Sequence, residues 1–276
     1  MQLLASGNIA KMQSEQGQQV QYSLPVGDEL LPMNPLIGTE LQLQFRQQIN
    51  CVACNRVTKK SFNQGYCYPC FIRLARCDSC IVSPEKCHYH LGTCREPEWG
   101  EANCMIDHIV YLANSTGLKV GITRGTQVPT RWIDQGAVQA IPLMRVATRY
   151  LSGLVEVIFK THIADKTQWQ AMLKNHVSIM DMQQEKQRML ALVKPELDAM
   201  INEHGLQAIQ LLDGSEVTEI EYPVLEYPVK VKSFNLDKTP EITGRLMGIK
   251  GQYLIFDSGV INMRKYGGYD LAIRQL

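Results

Sequence analysis

Nine cysteines lie between positions 51 and 104 of this 276-residue chain, and none lies elsewhere. A stretch so dense in thiols has few residues left for an apolar core, so something besides burial must hold it together. An odd number of cysteines cannot all pair within one chain. Residues 1–20 carry no charged stretch, apolar core or small-residue cleavage site, so no secretory signal is expected and the reading is cytoplasmic. Reduced thiols in such a setting point to metal binding rather than to a disulfide framework. The remainder of the chain can build a core: 45% of all residues are hydrophobic and 20% are charged, which excludes a disordered or fibrous protein. No apolar run approaches the roughly 20 residues that a membrane span needs.

The spacing of the cysteines carries the first specific inference. Cys51-Val-Ala-Cys54 and Cys67-Tyr-Pro-Cys70 are two C-x2-C knuckles. Such a pair offers four thiolates in tetrahedral arrangement, a closed structural zinc site. Between the knuckles Lys59, Lys60 and Phe62 form a basic loop of the kind that reaches phosphates. A third knuckle, Cys77-x2-Cys80, opens a second zinc site and needs two further ligands. Cys87 and Cys94 are the nearest thiols, and His90 is also in reach; Cys104 and His108 follow. An iron–sulfur cluster is the competing centre, because four thiolates suit it too.

Patterning divides the chain into five stretches and predicts a mixed α+β fold. Residues 1–48 read as strands, with alternation at 7–12, 20–24 and 40–45. Residues 49–106 are the cysteine-rich module. Residues 107–180 begin with a hairpin, 109–113 and 118–123, around the turn Asn-Ser-Thr-Gly. A short helix from Pro129 to Gly136 follows, then a strand over 140–147, where Pro142 predicts an edge position. Leu151, Leu154, Val155, Ile158 and Phe159 then recur at helical spacing. The order is β-β-α-β-α. Residues 181–221 read as a helical connector broken at Pro195 and closed by Gly205, and 222–276 as a small β domain. The two terminal β segments are each short for an independent domain, and the reading is that they pair in one small sheet or barrel.

Charge is uneven along the chain. The net charge is +1, yet residues 51–160 hold 13 Lys and Arg against 8 Asp and Glu. That basic middle favours an anionic ligand.

The central stretch resembles a known family. Ile109-Val110-Tyr111 and Lys119-Val120-Gly121 lie on consecutive strands, Arg131 follows on a short helix, and Glu156 on the next helix. In this order of motifs, over about residues 107–175, the chain is similar to the GIY-YIG endonuclease superfamily. It resembles most the branch whose second tripeptide is Lys-Ile-Gly. The whole chain also resembles a bacterial group that joins such a core to an N-terminal zinc-binding module.

The resemblance implies divalent-metal-dependent hydrolysis of phosphodiester bonds in DNA or RNA. Glu156 would supply the carboxylate for Mg²⁺ or Mn²⁺, and Arg131 a fork for the phosphate. Tyr111 would orient or deprotonate the attacking water, and Gly121 would let the strand approach the substrate. Lys119 and Arg124 would contact phosphate. Lys119 stands where the family has tyrosine, and lysine is a poor general base unless its pKa is strongly depressed. Glu156 and Lys160 are also spaced as an ordinary helix ion pair. The competing reading is therefore a non-catalytic, zinc-stabilised nucleic-acid-binding protein that keeps the nuclease fold.

Overall fold

The fold is organised by three antiparallel sheets, seen in a computed structural model that describes residues 1–163 and 168–276. Along the chain come β1 (Gln2–Asn8), β2 (Gln13–Glu15), β3 (Gln21–Val26), β4 (Glu29–Pro32) and β5 (Glu40–Ile49). The cysteine-rich segment contributes α1 (Tyr68–Arg73) and α2 (Pro97–Cys104), separated by single 3-10 turns. Next are β6 (His108–Asn114), β7 (Leu118–Arg124), α3 (Thr130–Asp134), β8 (Gln139–Val146) and α4 (Arg149–Lys160). The chain continues through α5 (Trp169–Leu173), α6 (Met182–Leu192), α7 (Lys194–His204), β9 (Ile209–Leu211) and β10 (Thr218–Glu219). It closes with β11 (Glu241–Lys250), β12 (Tyr253–Phe256), β13 (Gly259–Asn262) and β14 (Tyr269–Gln275). No helix among the described residues is long and apolar enough to cross a membrane.

Strands from both ends of the sequence share one six-stranded sheet, ordered β1-β14-β5-β11-β12-β13. β5 lies between β14 and β11, pairing Leu43 with both Ile273 and Ile242. Its alternation explains the placement: Leu41, Leu43 and Phe45 are buried while the residues between them are not. The polar residues 13–15 form β2 and pair with β3. Backbone pairing outweighs side-chain polarity there, because the β2–β3–β4 sheet needs only one covered face.

The central sheet runs β10-β8-β6-β7, with β9 also on β8. It is covered on both faces, which is why β6 reads as an unbroken apolar run. Val110 and Leu112 pack with α4, α6 and α7, whereas Tyr111 and Ala113 face α3 and the terminal sheets. β8 is not an edge strand. β6 flanks one side, and on the other β10 reaches Ala140 while β9 begins at Met144. Pro142 lies at the bulge of β8 against β6, in the gap between those two short strands. Its carbonyl accepts from Ser215 Oγ at 2.7 Å and Lys186 Nζ at 3.2 Å.

Candidate functional site

Four thiols meet where β5 leads into α1. Cys51 follows the strand, Cys54 sits in a turn closed by Asn55 N–H to Cys51 O at 2.8 Å, and Cys67 and Cys70 belong to the start of α1. Their sulfurs all lie within 4.8 Å of one another. Burial raises the Cys51 thiol, but the N–H groups of Cys67, Ala53 and Cys54 outweigh it and hold it down at about 6. Cys70 is pushed up to about 12 by burial, with the neighbouring thiols adding to it. One sulfur is thus readily ionised beside three others, a donor set that a dication neutralises. The four residues form a compact site that fits zinc.

The other cysteines arrange differently from the knuckle spacing. Cys77 is packed with Cys51, Cys67, Cys70 and Leu74 rather than with Cys80. Cys80, Cys87, Cys94 and Cys104 instead line one small pocket. A two-residue spacer permits a shared site, but the 3-10 turn Ala75–Cys77 and the turn Ser79–Ile81 send the two side chains in different directions. Asp78, Cys80 and His88 also bring ligand atoms within 4.8 Å of one another.

A cleft of about 540 Å³ opens where the cysteine module, the central sheet and the terminal sheet converge. Among the described residues, Lys11, Arg76, Arg124, Arg131, Arg149 and Arg264 line it, against a single carboxylate, Asp134. Asp134 forms an ion pair with Lys11 and accepts from Gln252 Nε2 at 2.8 Å. Gln252 in turn exchanges two hydrogen bonds of 3.0 Å with the Met12 backbone, which fixes this corner. Arg264 donates to Gln64 Oε1 at 2.7 Å, tying the C-terminal segment to the loop between the two cysteine knuckles. Burial lowers the Arg264 pKa, and the positive Arg131 lowers it further. Arg149 opens α4, behind the Thr148 cap, and donates to Ile81 O at 2.6 Å. Its Nε is buried without a hydrogen-bond partner. Partly desolvated guanidinium groups facing one another attract an anion more strongly than exposed lysines do.

The residues named by the family resemblance divide around this cleft. Arg124 and Arg131 line it; Tyr111, Lys119 and Glu156 do not. Tyr111 is fully buried and donates to Gln135 Oε1 at 3.1 Å. Burial pushes its phenol up to about 12, while Arg131 lowers it and Glu156 raises it. A phenol so placed keeps its proton at neutral pH. Gly121 pairs opposite Tyr111, and a Cβ there would stand 2.7 Å from the phenol carbon and oxygen. The glycine therefore clears room for the Tyr111 ring, not for a substrate. Lys119 is buried, and Glu156 pairs with Lys160 at 3.2 Å. An ammonium group already sits against the carboxylate, and Glu156 joins no cluster of three ligand groups among the described residues. A Mg²⁺ ion at Glu156 would compete with the Lys160 ammonium for that carboxylate. Lys59 and Lys60 are exposed away from the cleft, with Lys60 Nζ 5.2 Å from the Phe62 ring centre.

Over residues 38–271 the chain matches the model of a family described as a protein of unknown function (DUF2797). The chain belongs to the DUF2797 family. No curated protein and no solved structure matches it. The family's matched region takes in β5, the cysteine module, the central sheet and most of the terminal sheet, so it holds the cysteine cluster and every cleft cation but Lys11. Four cleft cations of this DUF2797 chain, Lys11, Arg76, Arg149 and Arg264, have no motif around them in the sequence. The only sequence signal was the basic excess of residues 51–160, which holds just two of them.

Proposed function

We propose that this protein binds DNA or RNA through the cleft between the three sheets, using its arginines on the phosphate backbone. The observation that carries the reading is six cations around one carboxylate, drawn from five separated parts of the chain. Phosphate contacts supply most of the affinity of sequence-independent nucleic-acid binding, and a cleft with one sign of charge focuses its field on a polyanion. The Cys51, Cys54, Cys67 and Cys70 site would hold zinc and set one wall of the cleft. The element order β6-β7-α3-β8-α4 supports a core of the GIY-YIG type, here serving to bind rather than to cut.

A second reading, phosphodiester cleavage, draws on one observation: Arg131 and Glu156 both act electrostatically on the Tyr111 hydroxyl. Burial of Tyr111 and the Lys160 partner of Glu156 weigh against it.

One experiment separates the two. Labelled single-stranded and duplex DNA and RNA are titrated with the protein over a range of salt, with and without Mg²⁺ or Mn²⁺. The binding reading expects affinity falling with salt, with a log–log slope of roughly −4 to −5 for five engaged arginines on duplex. It also expects no metal-dependent product and loss of binding in Arg131→Glu/Arg149→Glu. Salt-independent binding, or none, overturns it. Cutting that disappears in Glu156→Ala establishes the second reading.

A further inference from the structure

Between α1 and α2 the chain has almost nothing of its own to hold it. Three 3-10 turns, Ser79–Ile81, Pro84–Lys86 and Tyr89–Leu91, follow one another without a strand, and none of the apolar clusters among the described residues draws on residues 78–104. Ordering that many residues costs on the order of 1–2 kcal/mol each in backbone entropy, and the cysteines form no disulfide. Yet Cys80, Cys87 and Cys104 are buried, Cys94 is half-buried, and all four line the same pocket, walled by Tyr89 and Trp99; no three of their sulfurs lie within 4.8 Å of one another, so an ion would have to draw them together. The free volume inside is about 10 Å³, room for a single small ion.

We propose that Cys80, Cys87, Cys94 and Cys104 bind a second zinc ion through four thiolates. The spacing is C-x6-C-x6-C-x9-C, one ligand from each turn and the last from α2. Zinc suits this set because it takes four sulfurs in a closed site and imposes no redox chemistry. On binding, four zinc–sulfur bonds form and the thiol protons leave to solvent, giving a centre of net charge −2. Arg149 and Arg124 lie within electrostatic reach of Cys104 and balance that charge. The nine cysteines then resolve into two sets of four, with Cys77 left over as a packing residue of the first.

Asp78 and His88 are close enough to Cys80 to compete as ligands. Both have other work. Asp78 accepts from the Cys80 N–H at 3.3 Å and from Ser79 Oγ at 3.1 Å, and pairs with Arg95 at 2.6 Å. His88 Nδ1 is 2.8 Å from Thr93 Oγ1, and its Nε2 faces Asp78 at 3.7 Å. They brace the turns around the thiols. The site would also secure the cleft wall, because the turn after Cys80 supplies the Ile81 carbonyl that holds Arg149.

The test is zinc content of the full chain by elemental analysis, with X-ray absorption at the zinc edge. Two zinc ions per chain are expected, both in an all-sulfur shell at about 2.3 Å. Cys104→Ser should lose one of the two, whereas Cys77→Ser and His88→Ala should keep both. One zinc in the wild type, iron with acid-labile sulfide, or a nitrogen or oxygen atom in the zinc shell overturns the assignment. So does loss of a zinc in Cys77→Ser or His88→Ala. The absorption measurement uses the wild type alone and decides between all-sulfur and mixed ligation even if Cys104→Ser fails to fold.

Discussion

Replacing Lys250 with methionine should stabilise the protein, a result opposite in sign to most core substitutions. Lys250 ends β11 and is fully buried. Its Nζ donates to Asn175 Oδ1 at 2.7 Å and lies 5.2 Å from the ring centres of both Tyr222 and Tyr227. No carboxylate is paired with it among the described residues, and burial pulls the ammonium down from 10.5 to about 8. At 1.36 kcal/mol per pH unit, that displacement corresponds to about 3 kcal/mol of destabilisation at neutral pH. The folded-state pKa is the lower one, so the cost is present in full below pH 8. It shrinks between pH 8 and 10.5, where the folded protein releases the proton first, and is gone above 10.5. Methionine fills a similar volume without the charge. It forfeits the two cation–π contacts, worth about 1–2 kcal/mol, and a hydrogen bond whose exposed partner Asn175 can turn to water. The net expectation is a gain of about 1–2 kcal/mol at pH 7. Urea unfolding of both proteins at pH 7 and pH 10 provides the assay. The wild type should recover about 2 kcal/mol relative to the variant at the higher pH. Parallel pH profiles, or a methionine variant that is less stable at pH 7, would refute the reasoning.

Other outcomes follow from the same contacts. Gly153→Ala on α4 should destabilise by about 1–3 kcal/mol in thermal unfolding despite alanine's better helix propensity, because its Cβ would stand 2.3 Å from Glu85 N and 2.6 Å from Pro84 C. Gly121→Ala should cost a similar amount and shift the Tyr111 fluorescence environment, since the ring occupies the space the methyl needs. Asp134→Ala removes the only carboxylate among the described residues that line the cleft and releases Lys11, so nucleic-acid affinity at low salt should rise and the salt slope steepen by about one, read by fluorescence anisotropy. Stripping zinc with a strong chelator, or Cys51→Ser, should open residues 51–77 to limited proteolysis while the spectroscopic signature of the sheets persists.

Several features of the fold were legible because they are local. Two cysteines separated by two residues, twice over, bring four sulfurs together with little help from the rest of the chain, and Cys51, Cys54, Cys67 and Cys70 do so. Apolar alternation at 40–45 and the Asn-Ser-Thr-Gly turn likewise report on neighbours a few residues away, and β5 and the β6–β7 pair lie there. Where a residue's role depends on what docks against it, sequence reasoning went astray. Pro142 looks like an edge residue until two short strands from residues 209–219 leave a gap beside it. Gly121 looks like a substrate approach until the Tyr111 ring is found lying over it.

By itself, then, the sequence marked residues 49–106 as a module short of apolar residues and rich in thiols at ligand spacing, since both are properties of the chain alone. Which thiols share a site was decided by tertiary structure, because the 3-10 turns rotate Cys77 away from Cys80 and α2 returns Cys104 to it. The cationic cleft was decided there too. Its charges come from residues as far apart as Lys11 and Arg264, and no local pattern marks them. Spacing governs what neighbouring residues can reach, whereas a cleft is made of surfaces that meet only after each part has folded.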